Sequence, residues 1–403
     1  MGMGGVQRAS KTAKYLAQMG WNIYVLTADY RSFPVTDLSL KDDLPDSIHI
    51  TRIADPLSYN SIGGEASSFV NPAKSGFLQR LIRIPDARIF WANKIKETAE
   101  KLTRDNDIQY LLTTAPPPSV HMVGSELRKK YKLRWLADFR DPWAADDSPA
   151  LTPIHAMVQN KLEQKIIGNA DQVSVVTISH QHDLQRRYPE FKNKIYYIPN
   201  GFDPDDFTAN PNPPRDKMLI THCGTMCSQF SVVAFFEALK RVLIENSALK
   251  DKTEFVQIGN VDKGIFQDLE KNYTQYVNIN YKGYLDHSSA IKMTLDSSAV
   301  IVFSGISPTL ELNLPGKLYE ALASKLPVLA VFKKTSPARD ILSGLPEVYL
   351  LDPDDIDESA VILKDFIERN LRDEIKPVDR SGLISRYSRK FQAEQMAALL
   401  ENN

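Results

Sequence analysis

Residues 299–331 read AVIVFSGISPTLELNLPGKLYEALASKLPVLAV, and this stretch decides the fold. The apolar run Ala299–Phe303 predicts a buried strand, and Pro327–Val331 predicts another of similar length. Between them, Leu314–Ala323 predicts a helix that begins near Pro315, because proline suits the first turn of a helix. A strand, a helix and a second strand in this order form a βαβ unit with parallel strands.

The same alternation of strand-like and helix-like stretches runs along the whole chain. The other predicted strands are Trp21–Thr27, Ile108–Thr113, Arg134–Asp138, Gln172–Thr177, Lys194–Ile198, Met218–His222, Glu254–Ile258, Val277–Tyr281 and Val348–Leu351. The predicted helices include Ala9–Met19, Ala87–Arg104, Ser119–Lys130 and Ser381–Leu400. Alternation of this kind is typical of α/β proteins with parallel sheets.

A length of 403 residues predicts about two domains. Residues 203–217 (DPDDFTANPNPPRDK) contain four prolines among Asp and Asn residues, which is typical of a linker. We therefore predict one domain over residues 1–203, a second over 204–380, and a C-terminal helix over 381–403 that packs back toward the first. Both domains are expected to be doubly wound and Rossmann-like, with a ligand site in a cleft between the carboxyl edges of their sheets.

The N-terminal end departs from this pattern. A doubly wound domain normally opens with a strand that leads into its first glycine-rich loop, whereas this sequence starts inside such a loop, at Gly2-Met3-Gly4-Gly5. The N-terminal strand of the fold is therefore expected to be missing from the sequence. A misassigned start or a truncation explains this better than a true loss of the strand.

Composition and charge exclude several classes of protein. The 49 Lys and Arg balance 50 Asp and Glu, so we expect no nucleic acid as a partner. No apolar run approaches the roughly 20 residues of a transmembrane helix, and the N-terminus lacks the apolar segment of a secretory signal. Two cysteines exclude a disulfide scaffold and fit a reducing compartment. We therefore expect a cytoplasmic protein.

Two glycine-containing helix starts are candidate anion sites. Gly4 and Gly5 precede the first predicted helix, where backbone N–H groups can approach a phosphate, although a plain tight turn explains them equally well. At the second start, Pro315 and Gly316 leave N–H donors free and Lys317 adds a cation. Glu320, one turn further, could accept hydrogen bonds from a ribose diol; a merely capped helix is the alternative.

Taken together, seven motifs resemble the family 4 glycosyltransferases of GT-B fold, retaining enzymes that use nucleotide sugars. The motifs are GGVQRASKTAKYLAQMGWNIYVLT (4–27), TTAPPPSVHMVG (113–124), WLADFRDPW (135–143), IPNGFDPDDF (198–207), THCGTM (221–226), YKGYLDHSSA (281–290) and LPGKLYEALASKLPVLA (314–330). The resemblance covers nearly the whole chain, and the order of the motifs is specific although no single motif is. It is strongest to the branch that builds bacterial surface polysaccharides.

The resemblance implies a role for particular residues. The donor nucleotide sugar would contact Gly4, Gly5, Gly224, Thr225, Gly283, Tyr284, Leu285, Pro315, Lys317, Leu318 and Glu320. Within DFRD, Arg140 would stabilise the departing phosphate and Asp141 would orient the acceptor hydroxyl. His121 is a further candidate for the acceptor site, against the alternative of a histidine that merely begins a helix. No cofactor is expected, since the nucleotide sugar is a co-substrate.

Three positions depart from the family pattern. Leu312, with Glu311 beside it, stands where a second Glu usually contacts the sugar, and Lys325 stands where a Gly usually closes the helix. Residues 226–230 (MCSQF) lack the Arg or Lys that commonly grips the diphosphate. Lys317, Arg140 or a metal would have to compensate for that charge, or activity would be weak or lost. The Cys223 and Cys227 pair is expected to be two free thiols, so no metal site is predicted.

Residues 74–104 hold eight Lys and Arg against three Asp and Glu, a local net charge of +5, interleaved with apolar residues. Such a stretch can lie on an anionic membrane, here the inner face of the plasma membrane, or it can be a solvated helix with its apolar face in the core.

The resemblance therefore implies a glycosyltransferase that moves a sugar, with retention, to a saccharide or lipid-linked acceptor in surface polysaccharide biosynthesis. A GT-B nucleotide-sugar epimerase and a degenerate non-catalytic subunit remain the alternatives.

Overall fold

A computed structural model describes residues 4–29, 43–55, 84–86, 88–143, 152–306 and 314–402. The chain divides into two compact units. The first unit is Met1–Pro199 together with Gln392–Asn403, and the second is Asn200–Phe391. Leu312 and Glu311 lie outside the described residues.

The first unit has two parallel sheets among its described residues. Its strands are β1 Tyr24–Ala28, β2 His49–Ile53, β3 Tyr110–Ala115, β4 Arg134–Phe139, β5 Gln172–Val175 and β6 Ile195–Tyr197. Strand β1 pairs with β2, and the other sheet has the order β3-β4-β5-β6. The helices are α1 Gly4–Gln18, α2 Ile89–Asp105, α3 Ser119–Tyr131, α4 Pro153–Asn169 and α5 Ile178–Arg187. Strand β2 is absent from the sequence-based prediction.

Among its described residues, the second unit has one parallel sheet of six strands. They are β7 Met218–Cys223, β8 Thr253–Ile258, β9 Asn278–Gly283, β10 Ala299–Phe303, β11 Val328–Val331 and β12 Val348–Leu351. Their order is β12-β11-β10-β7-β8-β9, so the winding direction reverses between β10 and β7. The helices are α6 Val232–Glu245, α7 Lys263–Asn272, α8 His287–Leu295, α9 Gly316–Ala323, α10 Ala338–Leu342, α11 Ile356–Leu371 and α12 Ser381–Ile384, and α13 Arg389–Glu401 crosses into the first unit.

Side-chain caps fix the start of several helices. Thr152 accepts the N–H of His155 at 3.2 Å and is followed by Pro153 at the first helical position of α4. Asp286 accepts the N–H of Ser289 at 2.9 Å at the start of α8. Because such a cap satisfies a backbone donor that has no intrahelical partner, each contributes about 1 kcal/mol.

Helix α9 ends without the glycine that usually closes such a helix. Ser324 is its C-cap residue, and Lys325 follows with a φ of 65°. This left-handed conformation is the one that the next residue adopts at many helix ends, and glycine enters it with least strain. Lys325 therefore adopts the left-handed conformation expected of the glycine, at some cost in conformational energy.

The C-terminal stretch forms two helices, where the sequence predicts one over Ser381–Leu400. Ser388 lies between them in an extended conformation, with φ −71° and ψ 145°. Two backbone hydrogen bonds to Phe202 stabilise this break. The Phe202 N–H donates to the Tyr387 carbonyl at 3.1 Å, and the Phe202 carbonyl accepts the Arg389 N–H at 2.8 Å. Tertiary hydrogen bonds thus override the local helical pattern.

Beyond this break, α13 contributes apolar side chains to the core of the first unit. Ala393 and Ala397 pack with Tyr15 and Leu16 of α1. Met396 and Leu400 form a second cluster, whose other buried members are Leu136 and Ile198. Helix α13 is therefore part of the core around α1 and β4.

The stretch predicted to be a linker, residues 203–217, begins as an ordered part of the second unit. Asp203 accepts the N–H of Asp205 at 3.1 Å and starts a 3₁₀ turn over Pro204–Phe207. Phe207 is buried in the cluster that contains Leu318. The Pro and Asp residues here shape a turn that anchors the chain, because their side chains and fixed φ favour it.

Candidate functional site

The reversal of strand order in the second unit creates a natural ligand position. In open α/β sheets, the loops that leave neighbouring strands diverge where the winding reverses, and ligands bind at that carboxyl edge. Here the two strands are β7, which ends at Cys223, and β10, which leads through a loop to helix α9. Gly224 follows β7 directly, and Lys317 and Glu320 lie on α9.

The side chain of Lys317 connects these two elements. Its Nζ donates to Glu320 Oε2 at 2.8 Å and lies 3.9 Å from Cys223 Sγ at the end of β7. Burial acts to lower the pKa of Lys317, but the charge of Glu320 and the Cys223 contact outweigh it, so the pKa is raised. Lys317 is therefore a permanent cation beside the Gly224 turn, already paired with a carboxylate.

A small cavity lies behind this ion pair. It measures about 20 Å³, and its lining includes Phe207, Cys223, Thr294, Lys317 and Glu320. That volume holds about one water molecule. A ligand as large as a nucleotide therefore has to lie outside the cavity, on the surface formed by the loops.

Three glycines line the carboxyl edge of β7, β8 and β9. The Gly224 N–H donates to the Ile258 carbonyl at 2.8 Å, and the Gly259 N–H donates to the Gly283 carbonyl at 2.7 Å. Gly259 has a φ of 113°, and a Cβ on it would lie 2.4 Å from the Gly224 carbonyl oxygen. Gly259 is not among the residues predicted from the sequence, although a glycine directly after a buried apolar strand is a recognisable signal. The three loops therefore meet through backbone atoms.

Replacing Gly259 by alanine is expected to destabilise the second unit more than the same change at Gly344. Gly344 also has a positive φ, 78°, but no atom lies within 4 Å of its virtual Cβ. In both variants an alanine adopts a positive φ, which costs roughly 1–2 kcal/mol. Only Gly259→Ala also places a Cβ against the Gly224 carbonyl oxygen. Scanning calorimetry measures the two shifts in Tm; equal shifts would contradict the close approach.

The remaining predicted donor residues are distributed around this edge. Thr225 and Tyr284 are exposed and Leu285 is half-buried. Pro315 is the N-cap residue of α9 and is also half-buried. Leu318 differs, because its side chain is fully buried in the core and its N–H donates to the Pro315 carbonyl at 3.0 Å. Leu318 therefore supports the helix start and has no side-chain surface to offer a ligand.

In the first unit, Arg140 is fixed by backbone carbonyls. Its guanidinium donates to the carbonyls of Ala115 at 3.1 Å, Pro116 at 2.9 Å and Gly5 at 2.6 Å. A Cβ on Gly5 would lie 2.0 Å from Arg140 Nη1, so this approach requires glycine. Gly4 and Gly5 form the first turn of α1, whereas the sequence placed them ahead of the helix. Arg140 is thus held at the N-terminal end of α1.

A buried ion pair lies beneath Arg140. Arg8 of α1 donates to both carboxylate oxygens of Asp138, at 3.0 and 2.8 Å, and to the carbonyls of Pro199 and Ile198. Thr114 and Ser174 each donate to the same carboxylate at 2.8 Å. Burial acts to raise the pKa of Asp138, but the charge and hydrogen bonds of Arg8 lower it overall. Arg8 was also missed, since its partners come from distant strands.

Asp141 is exposed. Desolvation by the surrounding protein raises the pKa of Asp141. The positive charge of Arg140 opposes this rise, and the negative charge of Asp138 adds to it. The pKa of Arg140 is lowered by burial, with Asp138 and Asp141 acting against the change.

His121 does not lie at an accessible surface. It is fully buried, its Nδ1 lies 2.7 Å from Thr113 Oγ1, and its ring stacks on Phe139 at 4.6 Å. Burial lowers its pKa to about 3, so the ring is neutral near pH 7. The structure therefore favours the alternative of a packed histidine in the first turn of α3 over direct contact with an acceptor.

Only part of the predicted basic stretch 74–104 can be placed, because residues 74–83 and 87 lie outside the described part of the chain. Helix α2 buries Trp91 and Ile95 in the core of the first unit, and it exposes Phe90 and Lys94. In the described ranges, no helix has the length and apolar character needed to cross a bilayer.

A metal site was not predicted from the sequence. Among the residues that the structure describes, no group of three or more His, Cys, Asp or Glu side chains is arranged to hold a metal ion.

Comparison with solved structures identifies the fold. HepE from Anabaena, in complex with UDP and glucose, has a TM-score of 0.63 at 14% identity, covering 100% of this chain and 96% of that one. A glycosyltransferase from Rickettsia africae gives 0.62 at 16% identity, covering 99% and 96%. A trehalose-6-phosphate structure from E. coli, bound with UDP-2-fluoro glucose, gives 0.61 at 14% identity, covering 100% and 96%.

The chain therefore has the GT-B fold, in agreement with the α/β, parallel-sheet prediction. At 14–16% identity the likeness is one of fold. No protein-family model matches the sequence, and comparison with curated proteins gives no match.

Proposed function

We propose that this protein is a glycosyltransferase that uses a nucleotide-diphosphate sugar as donor. The observation that carries the proposal is the meeting of Gly224, Lys317 and Glu320 at the strand reversal of the second unit. A glycine turn that lets a ligand approach closely, a cation and a carboxylate are the groups that a diphosphate and a ribose diol require. The likeness in fold to HepE, bound to UDP and glucose, supports the same class of ligand.

We assign a part of the donor to each predicted residue of the second unit. Lys317 binds the diphosphate beside Gly224 and Thr225, while Glu320 accepts hydrogen bonds from the ribose. The backbone at Gly283, Tyr284 and Leu285 contacts the base, and Pro315 with Leu318 holds the start of α9 in place. The Lys317–Glu320 pair must open when the nucleotide binds, because both groups then take ligand partners.

We assign the acceptor to the first unit. Arg140 stabilises developing negative charge, because a fixed guanidinium is a preorganised cation. Gly4 and Gly5, at the start of α1, offer N–H groups to the donor phosphates. Asp141 orients the acceptor hydroxyl. His121 supports Phe139 from within the core.

We further propose that transfer proceeds with retention, that the acceptor is a saccharide or lipid-linked saccharide of surface polysaccharide biosynthesis, and that the protein lies peripherally on an anionic membrane. The motif resemblance supports the first two. The exposed Phe90 and Lys94 on α2, beside the basic sequence that precedes it, support the third.

The test is an assay of the purified full chain with UDP-glucose, UDP-galactose, GDP-mannose and ADP-glucose, with and without aryl glycoside acceptors. We expect release of the nucleoside diphosphate with at least one donor, and NMR of the product is expected to show the anomeric configuration of the donor. Glu320→Gln should abolish release, whereas Glu358→Gln, an exposed carboxylate of α11, should not. Absence of both binding and turnover would overturn the proposal; sugar conversion without acceptor would indicate an epimerase.

A further inference from the structure

Among the residues of the second unit that are assigned to the donor above, Lys317 is the one cation. A nucleotide sugar carries a doubly charged diphosphate, while residues 226–230 contain no Lys or Arg. Lys317 is the cation beside the Gly224 turn, and the neighbouring Glu320 cancels its charge. Desolvating an anion without compensating charge is strongly unfavourable. Arg140 is assigned above to the charge that develops during transfer, so a further positive charge beside Gly224 would favour binding of the donor itself.

His222, at the end of β7, borders the same turn. It is only 7% exposed, and its ring packs against Phe303 with centroids 5.0 Å apart. The space that a side chain on Gly224 would occupy is bounded by His222 and Lys317. A Cβ there would lie 3.4 Å from His222 Cε1, 3.6 Å from Nε2 and 3.9 Å from Lys317 Cγ. The Cε1–Nε2 edge of the imidazole therefore faces the gap beside Gly224.

Hydrogen bonds determine which nitrogen of His222 carries the proton. Gln257 donates through Nε2 to the Gly224 carbonyl at 2.8 Å and to the Ile258 carbonyl at 3.2 Å, which fixes its amide orientation. Gln257 Oε1, 2.8 Å from His222 Nδ1, must then accept a hydrogen, so Nδ1 is protonated. In the neutral ring, Nε2 consequently carries a lone pair and no hydrogen, and it repels phosphate oxygens.

We infer that His222 takes up a proton from solvent when the diphosphate binds, and that its Nε2–H then donates to a phosphate oxygen. Reversing the tautomer instead would break the Gln257 bond to His222 or turn the amide away from the Gly224 carbonyl. Protonation at Nε2 keeps all three contacts of Gln257 and adds the missing positive charge. The inference rests on the proposed function, since it concerns the same donor site.

The charge state without ligand fits this role. Burial lowers the pKa of His222 to about 4, the Gln257 hydrogen bond opposes that shift, and Lys317 adds to it. The neighbouring titratable groups are Lys317, Glu320 and Cys223, and burial raises the pKa of the Cys223 thiol. The ring is therefore neutral at pH 7 before binding. An added dianion favours the charged form and raises the pKa of His222.

The experiment is titration calorimetry with the nucleotide-sugar panel at pH 5.5 to 8, in buffers of different ionisation enthalpy. The diphosphate of a nucleotide sugar does not titrate in this range, so proton uptake reports on the protein. We expect uptake of up to one proton and an association constant that rises as the pH falls, by up to about tenfold per pH unit.

His222→Asn is the decisive variant, because the Asn amide can still donate to Gln257 but has no Nε2. We expect it to abolish proton uptake and to weaken binding at pH 6 by about tenfold or more, the loss typical of a charged hydrogen bond. His180→Asn is the matched control: it removes another buried histidine, with a pKa lowered to about 4, from the first unit. It should leave uptake unchanged.

The outcomes separate the two proposals. If no nucleotide sugar binds the wild-type chain at any pH, the proposed function fails. If binding occurs without proton uptake, or if His222→Asn keeps the wild-type uptake, the role of His222 is overturned while the function stands. His222→Gln is a second variant, in case the Asn chain has a lowered Tm.

Discussion

A chain that carries Lys317→Met is expected to bind nucleotide sugars about 100-fold more weakly than the wild type, or worse. A charged hydrogen bond to phosphate contributes about 1.5–3 kcal/mol. The substitution also leaves Glu320, which is 8% exposed, without its cation beside an incoming anion. Both effects act in the same direction, and each 1.4 kcal/mol corresponds to a factor of ten in affinity.

Titration calorimetry with the tightest-binding nucleotide sugar measures this loss of affinity. Two further variants show whether the loss comes from the phosphate contact of Lys317. Lys364→Met removes a lysine of α11 that pairs with Glu245 at 2.7 Å, and it should bind normally. The double change Lys317→Met with Glu320→Gln removes both charges. Because Glu320 is itself assigned to the ribose, the double variant is compared with Glu320→Gln alone. If Lys317 contacts the phosphate, the double variant binds more weakly than Glu320→Gln; if only the orphaned carboxylate matters, the two variants bind alike. Binding of Lys317→Met within threefold of the wild type would remove Lys317 from the site.

Arg8→Met is expected to destabilise the first unit by about 3–5 kcal/mol, since removal of one partner of a buried ion pair strands the other charge. Arg8 and Asp138 have side chains only 2% exposed. All four tryptophans, Trp21, Trp91, Trp135 and Trp143, lie in the first unit, so tryptophan fluorescence during urea unfolding reports on that unit selectively. The midpoint of that transition should fall markedly.

Two comparisons distinguish charge burial from loss of packing. Arg8→Met with Asp138→Leu replaces the pair by apolar groups and should recover much of the stability. Lys130→Met breaks an exposed pair with Glu100 and should leave the midpoint close to wild type. Because the pKa of Asp138 is lowered in the folded state, its contribution is present at neutral pH and is lost as the pH falls below about 4. The gap between wild type and Arg8→Met should therefore narrow in acid; a constant gap would contradict the assignment.

The strong apolar runs of the second unit could be predicted from the sequence alone. Strands Ala299–Phe303 and Val348–Leu351 have the predicted bounds, because apolar runs of four or five residues have the length of a strand and are too short for a typical helix. Strand β2, His49–Ile53, was missed because HITRI mixes polar and apolar residues and none of its first three residues is fully buried. Its pairing with β1 is a tertiary effect that no local pattern reveals.

The candidate site divides in the same way. Lys317 and Glu320 are three residues apart on one helix, so sequence spacing alone brings them together. Arg8, His222 and Gly259 owe their significance to residues 130, 35 and 35 positions away, respectively, and such neighbours follow only from the sheet order. The local sequence pattern predicts helix faces and strand ends. It does not predict which strand ends lie next to each other in the sheet.

The division of the chain, with Gln392–Asn403 completing the first unit, has a consequence for synthesis on the ribosome. The surfaces around Leu16 and Leu136 receive Ala397 and Met396 only after the whole second unit has been translated. At about 5–20 residues per second, that wait lasts roughly 10–40 s. The first unit is therefore translated first but completes its core last. A stop codon at Gln392 would remove part of the core of the first unit and leave the second unit intact.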